Sequence, residues 1–192
     1  MSNTIIMRED EDFINVNYSE DFVRDQEFYD CRFVGCNFTK TDLRGSSFED
    51  CTFQDCNFSM SELEGVGFRN INFIGSKILG IDFTRCNSFM FSFKFDTCRI
   101  EYCTFFGTKL KKTAFIKCSL KETDFSEADL SFAVFTNSDL TGTKFSNTTL
   151  EKADFREAHS FNIDPELNRL KKAKFYTSQL EGLLYKHQLD IV

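Results

Sequence analysis

Eight cysteines and two histidines are the side chains of this 192-residue chain suited to metal binding, redox exchange or acid–base work. Cys31, Cys36, Cys51 and Cys56 could meet as a zinc site, and Cys31/Cys51, Cys36/Cys56 and Cys98/Cys118 are each twenty residues apart, within disulfide reach if that interval is one turn of a coil. Phase argues against both. All eight cysteines, Cys86 and Cys103 included, share the phase that Ala, Ser and Thr occupy elsewhere. Each therefore reads as a small buried hydrophobe, kept reduced in a cytosolic environment. No metal and no cofactor is expected. His159 and His187 are the only imidazoles, no nucleophile motif surrounds them, and there is no Gly-rich phosphate motif. A narrow interior would leave no room for a pocket, so the reading is not an enzyme.

The element that positions the cysteines is a repeat of five. From Phe95 to Phe155 a large apolar residue, Phe, Leu or Ile, stands at every fifth position, and from Ile100 onward a small residue lies two before each. Helices repeat every 3.6 residues and half-buried strands every 2, so neither element fits. The chain must turn after each short segment. If the central residue and the one two before it point inward, four units close a square coil of twenty residues. Coils then pair their backbones as parallel strands at roughly 4.8 Å. Phe95, Phe115, Phe135 and Phe155 would form one ladder. One large and one small residue per unit fill such a core evenly, and Phe brings no polar atom to satisfy, which accounts for 25 Phe and no Trp.

Units such as Ala128-Asp129-Leu130-Ser131-Phe132 and Ala153-Asp154-Phe155-Arg156-Glu157 resemble those of the pentapeptide-repeat family. The resemblance implies an all-β fold, a right-handed quadrilateral β-helix, here with a short C-terminal α-helix.

In chain order, residues 1–27 are expected as an irregular N-terminal cap, since Glu11 and Asp21 take phases that should face inward. A first β-helix block follows at 28–83, with Gly35, Gly45, Gly65, Gly75 and Gly80 on its corner positions. Phe95 stands twelve positions after Phe83 where the period needs ten, so 84–94 is a phase-shift bulge or a loop. Phe89, Phe91 and Phe93 there either refill a distorted core or form an exposed contact site. The second block, 95–158, carries Lys109, Lys111, Lys112, Lys117 and Lys121 outward, with Phe106 and Phe132 on outward phases too. In 159–192 the pattern breaks at Ser160 and Pro165, Asp164-Pro165 reads as the start of a helical turn, and a partial coil precedes a helical tail.

Net charge is −7, but it is divided unevenly: residues 1–83 carry a balance of −9 and residues 84–192 a balance of +2. An acidic surface either keeps the chain soluble or is offered to a basic groove. Direct nucleic-acid binding is not expected of it. A mean hydropathy of −0.32 and the absence of long apolar runs argue against membrane insertion or a secretory leader, making cytoplasm the expected compartment.

The tail Gly182-Leu183-Leu184-Tyr185-Lys186-His187-Gln188-Leu189-Asp190-Ile191 is similar to the ends of Qnr-type quinolone-resistance proteins. That resemblance implies a homodimer joined through Leu180, Leu183, Leu184, Leu189 and Ile191, and an acidic rod that imitates duplex DNA toward DNA gyrase or topoisomerase IV. The acidic partner face would then hold Asp30, Asp42, Glu49, Asp50, Asp55, Glu62 and Glu64. The alternative is a scaffold or immunity-type protein with another protein partner.

Overall fold

The computed structural model describes residues 6–190. They wind into a parallel β-solenoid in which each residue pairs with the one twenty positions on, as in Phe13↔Phe33, Phe33↔Phe53 and Phe28↔Phe48. Strands are short, three or four residues in most coils, because the chain turns at every fifth residue. The turning residue adopts a left-handed backbone with φ near +50 to +73°, whether it is Gly45 or a residue with a side chain such as Asp30, Lys112 or Phe132. The corner glycines thus sit where positive φ is required, and the same strain is accepted at many other residue types. What compensates is the backbone ladder. Each corner N–H donates to the next coil, as Asp30 N does to Glu49 O at 3.0 Å.

Inside, rings stack face to face along one wall from Phe13 through Phe33, Phe53, Phe73, Phe95, Phe115, Phe135 and Phe155 to Phe175, at centroid distances of 4.6–5.3 Å. The expected Phe95–Phe155 ladder is part of this longer one. The small inward residues do more than fill space. Thr41 Oγ1 donates to Tyr18 O at 2.7 Å, Thr123 Oγ1 to Ile100 O at 2.7 Å and Ser138 Oγ to Phe115 O at 3.1 Å, each reaching 23 residues back into the preceding coil. The cysteines take the same part more weakly, with Cys51 Sγ 3.5 Å from Phe28 O and Cys56 Sγ 3.5 Å from Phe33 O. All eight thiols are free and buried.

One expectation is corrected at the N-terminal end of the column, and the middle shows how the phase shift is accommodated. Residues 6–25 form a regular coil, not an irregular cap: Ile6–Glu9 pairs with Gln26–Tyr29 and Asp12–Ile14 with Arg32–Val34, in register. Glu11 and Asp21 are tolerated at inward phases because the end coil leaves those positions exposed to water. The excess residues of 84–94 are absorbed by two 3-10 turns, Phe83–Arg85 and Ser88–Met90, capped by the Asp82 and Asn87 carboxylate and amide oxygens. Phe91 and Phe93 return to the core, whereas Phe89 is 96% exposed. Pairing resumes with an interval of 22, as in Phe73↔Phe95 and Ile78↔Ile100.

Candidate interaction surface

Three residues of every five face outward, so function must be carried by rows on the faces and corners. The acidic residues expected to form one face are divided by the coil. Asp42, Glu62 and Glu64 flank core Leu43 and Leu63 on one wall, Glu49 lies on the next wall, and Asp30 and Asp50 hold the corner after it. Asp55 holds a further corner. Their charges are also unequally available. Asp42 is a correction to the expected face: it is 6% exposed, and its carboxylate accepts from Arg24 and from Arg44 Nη2 at 2.7 Å. The Arg44 guanidinium, with Arg24 beside it, holds this carboxyl well below the usual carboxylate range. Glu49 accepts from Arg69 at 2.9 Å, and Glu62 lies 3.4 Å from Arg44. Asp30, Asp50, Asp55 and Glu64 form no ion pair among the described residues. Asp10 belongs with Asp30 and Asp50, on the same corner with the same left-handed backbone and at the same interval of twenty, which is the signal for it in the sequence.

At the other end the last coil keeps its register, with Arg169 paired to Thr149 and Lys174 to Asp154. Ser160 and Pro165 replace core residues, and Phe161 and Ile163 fill the vacated interior instead. Pro165 opens a single turn, not continued as a helix, in which Leu167 N donates to Asp164 O at 3.3 Å. Asp164 closes a turn by accepting from Glu166 N at 2.9 Å, and Lys186 Nζ binds its carboxylate at 3.0 and 3.1 Å. The tail forms a one-turn helix, Glu181–Leu184, between 3-10 turns at Thr177–Gln179 and Tyr185–His187. It lies close across the column end, where Ile163 N donates to Gly182 O at 2.9 Å and a Cβ at Gly182 would strike the Phe161 carbonyl and come within 2.7 Å of its ring. Leu183 packs on the core, while Leu180, Leu184 and Leu189 remain exposed beside Tyr176 and Tyr185. Ile191 lies outside the described residues. A cleft of about 690 Å³ separates tail and column, lined in part by His159, Phe161, Gln179, Leu184 and Tyr185. His187 is not among its lining residues, so the two histidines do not share a site.

A family model described as the pentapeptide repeat region matches residues 9–83 and 108–184. The chain belongs to the pentapeptide-repeat family. The unmatched interval, 84–107, contains the 3-10 turn Ser88–Met90 and exposed Phe89, where the five-residue phase is lost. Among curated proteins none matches this pentapeptide-repeat chain in sequence. Of solved structures, HetL, a pentapeptide repeat protein involved in heterocyst differentiation regulation from the cyanobacterium Nostoc sp. strain PCC 7120, is similar with a TM-score of 0.73 at 16% identity, covering 88% of this chain and 84% of HetL. A trypsin-treated variant of QnrB1, a plasmid-mediated fluoroquinolone resistance protein, is similar with a TM-score of 0.63 at 15% identity, covering 98% of both chains. At these identities the likeness is one of fold. No helix of the described residues is long and apolar enough to cross a membrane.

Proposed function

We propose that this pentapeptide-repeat protein is a non-enzymatic, cytoplasmic interaction solenoid whose acidic N-terminal half imitates duplex DNA toward a type II topoisomerase, DNA gyrase or topoisomerase IV, and so protects it from quinolones. The observation that carries this reading is the charge division of the rod, −9 over residues 1–83 against +2 over the remainder, with Asp10, Asp30 and Asp50 stacked on one corner. Carboxylates repeated along a stiff rod present a basic groove with the field that phosphates would. The likeness to QnrB1 supports the reading at the level of shape. A homodimer joined at the tails, through Leu180, Leu184 and Leu189 with Leu183 beneath them, would place the two acidic halves outermost.

The second reading, a scaffold or immunity-type protein with another protein partner, is favoured by the lysines of the C-terminal half and by Phe22, Phe89 and Phe106, which stand exposed; a DNA imitation needs none of them. Supercoiling by purified gyrase and by topoisomerase IV, with and without quinolone, tests the first. Inhibition at high concentration or protection at lower concentration supports it; no binding, inhibition or protection with either enzyme leaves the scaffold reading.

A further inference from the structure

One corner of the column changes sign along its length. Asp10, Asp30 and Asp50 occupy it at the N-terminal end, Asn70 and Ser92 near the middle, and Lys112, Lys152 and Lys172 toward the C-terminal end. The corner keeps one backbone bonding pattern on either side of the register shift between Phe68 and Ile71: Asp10, Asp30 and Asp50 donate their N–H to Tyr29, Glu49 and Arg69 O, and Lys112 and Lys152 donate theirs to Ser131 and Lys171 O, all at 2.9–3.1 Å. Asn70 Nδ2 reaches Asp50, and Asn70 N reaches Ser92 Oγ at 2.7 Å. All but Ser92 share a left-handed φ of 50–65°, so their Cβ atoms leave the corner in one direction. Phe132 interrupts the lysines, its ring 4.6 Å from Lys152 Nζ.

Among the described residues none of these three aspartates and none of these three lysines is in an ion pair. Like charges stacked one coil apart, about 4.8 Å, repel and are not neutralised within the chain. The far end of the same edge holds opposite charges, Lys172 and Lys152 one coil apart and Lys112 two coils further in, with Phe132 in the position between.

We propose that this edge is a self-complementary interface, on which a second copy of the chain docks side by side and antiparallel about a two-fold axis near Ser92. Asp10 then faces the lysine at the far end, Lys172, and Asp30 faces Lys152, so that each two-fold contact pairs two aspartates with two lysines, while Asp50 faces Phe132 and Asn70 faces Lys112. A parallel arrangement would set aspartate on aspartate and lysine on lysine. The inference does not rest on topoisomerase binding or on pairing through the tail. Because the contact is exposed and ionic, it is weak and salt-sensitive.

Sedimentation velocity of the full chain tests it, comparing about 50 mM with about 500 mM NaCl. One variant carries Asp10→Lys, Asp30→Lys and Asp50→Lys, the other Lys112→Asp, Lys152→Asp and Lys172→Asp; both residue types already occupy this corner, so folding is retained and is checked by circular dichroism. The wild type should associate at low salt and lose at least about tenfold in affinity at high salt. Each variant alone should lose that association, and an equimolar mixture of the two should regain it as a one-to-one complex. A wild type with no salt-sensitive association, variants that associate as well as wild type, or a mixture that fails to associate would each overturn the interface. Tail pairing, being apolar, would persist at high salt and in both variants, and so is told apart.

Discussion

The Cys103 thiol donates to the carbonyl oxygen of Ile78, 3.3 Å away and 25 residues earlier, whereas Cys56 makes the same contact with Phe33, 23 residues earlier. The difference of two is the insertion at 84–94, measured from inside the core. The column therefore recovers its internal bonding one coil after the disturbance, with the excess residues pushed to the surface. Cys103→Ser should keep the bond and change stability by about 1 kcal/mol or less, whereas Cys103→Phe should overpack the coil and cost about 1–3 kcal/mol. Urea denaturation of both variants separates them; similar losses would mean that Cys103 is not held in this narrow inward slot.

Phe115 is stacked between Phe95 and Phe135 at 5.3 and 5.1 Å and has no exposed surface. Phe115→Ala should cost about 3–5 kcal/mol through lost burial and the cavity left behind. Lys112→Ala, on an exposed corner, should cost about 0.5 kcal/mol or less. Equal shifts in denaturation midpoint would show the inward phase to be misassigned.

Acid should act on Asp42. Its carboxyl is held low in the folded chain by Arg44 and Arg24, so the ionised form adds stability above the unfolded value of about 4, and that contribution is lost as pH falls toward the depressed folded value. Asp42→Asn should thus lower the melting temperature near neutrality and differ progressively less from wild type below about pH 4. A gap independent of pH would place the stabilisation elsewhere.

The thiols should be silent in the folded state. Burial pushes Cys51 and Cys56 up to about 12, far from the thiolate that attacks alkylating reagents. Iodoacetamide near pH 8 should leave native protein unmodified, while all eight cysteines should react in denaturant. Rapid labelling of a single cysteine in native protein would reveal local opening at that coil.

Leu184 is exposed at the tail, and Leu183 beneath it packs on the core. If tails join two columns, Leu184→Asp should give monomers by light scattering without loss of the β-helical circular dichroism signal. Leu183→Asp should in addition lower the melting temperature, because it also strips cover from the last coil. An intact dimer in the Leu184→Asp variant would move the contact away from the tail.

Much of this architecture is legible in the five-residue period. A strict interval of five can be satisfied only by a chain that turns at each unit, so the solenoid, its phenylalanine core and the burial of Cys31, Cys98 and the other thiols followed from phase. The insertion before Phe95 was legible as a count, but not its outcome. Core vacancy drew Phe91 and Phe93 inward, while the local 3-10 turn sent Phe89 out. At the N-terminus phase misled, because Glu11 and Asp21 at inward positions suggest a broken coil when the open end of a column can hold them in water.

The eight cysteines and two histidines that first suggested chemistry divide along the same line. Within the regular coils, sequence by itself determined which core residues face inward, because there inside and outside are set by a local period that repeats from coil to coil. Tertiary structure alone decided which charges meet, because that depends on wall, corner and neighbouring coil together. It buried Asp42 between two arginines while leaving Asp30 exposed, and it set Asp10, Asp50, Lys112 and Lys172 on a single edge. Residues twenty or more positions apart become neighbours only when the coils stack, and the insertion changes that interval once along the column.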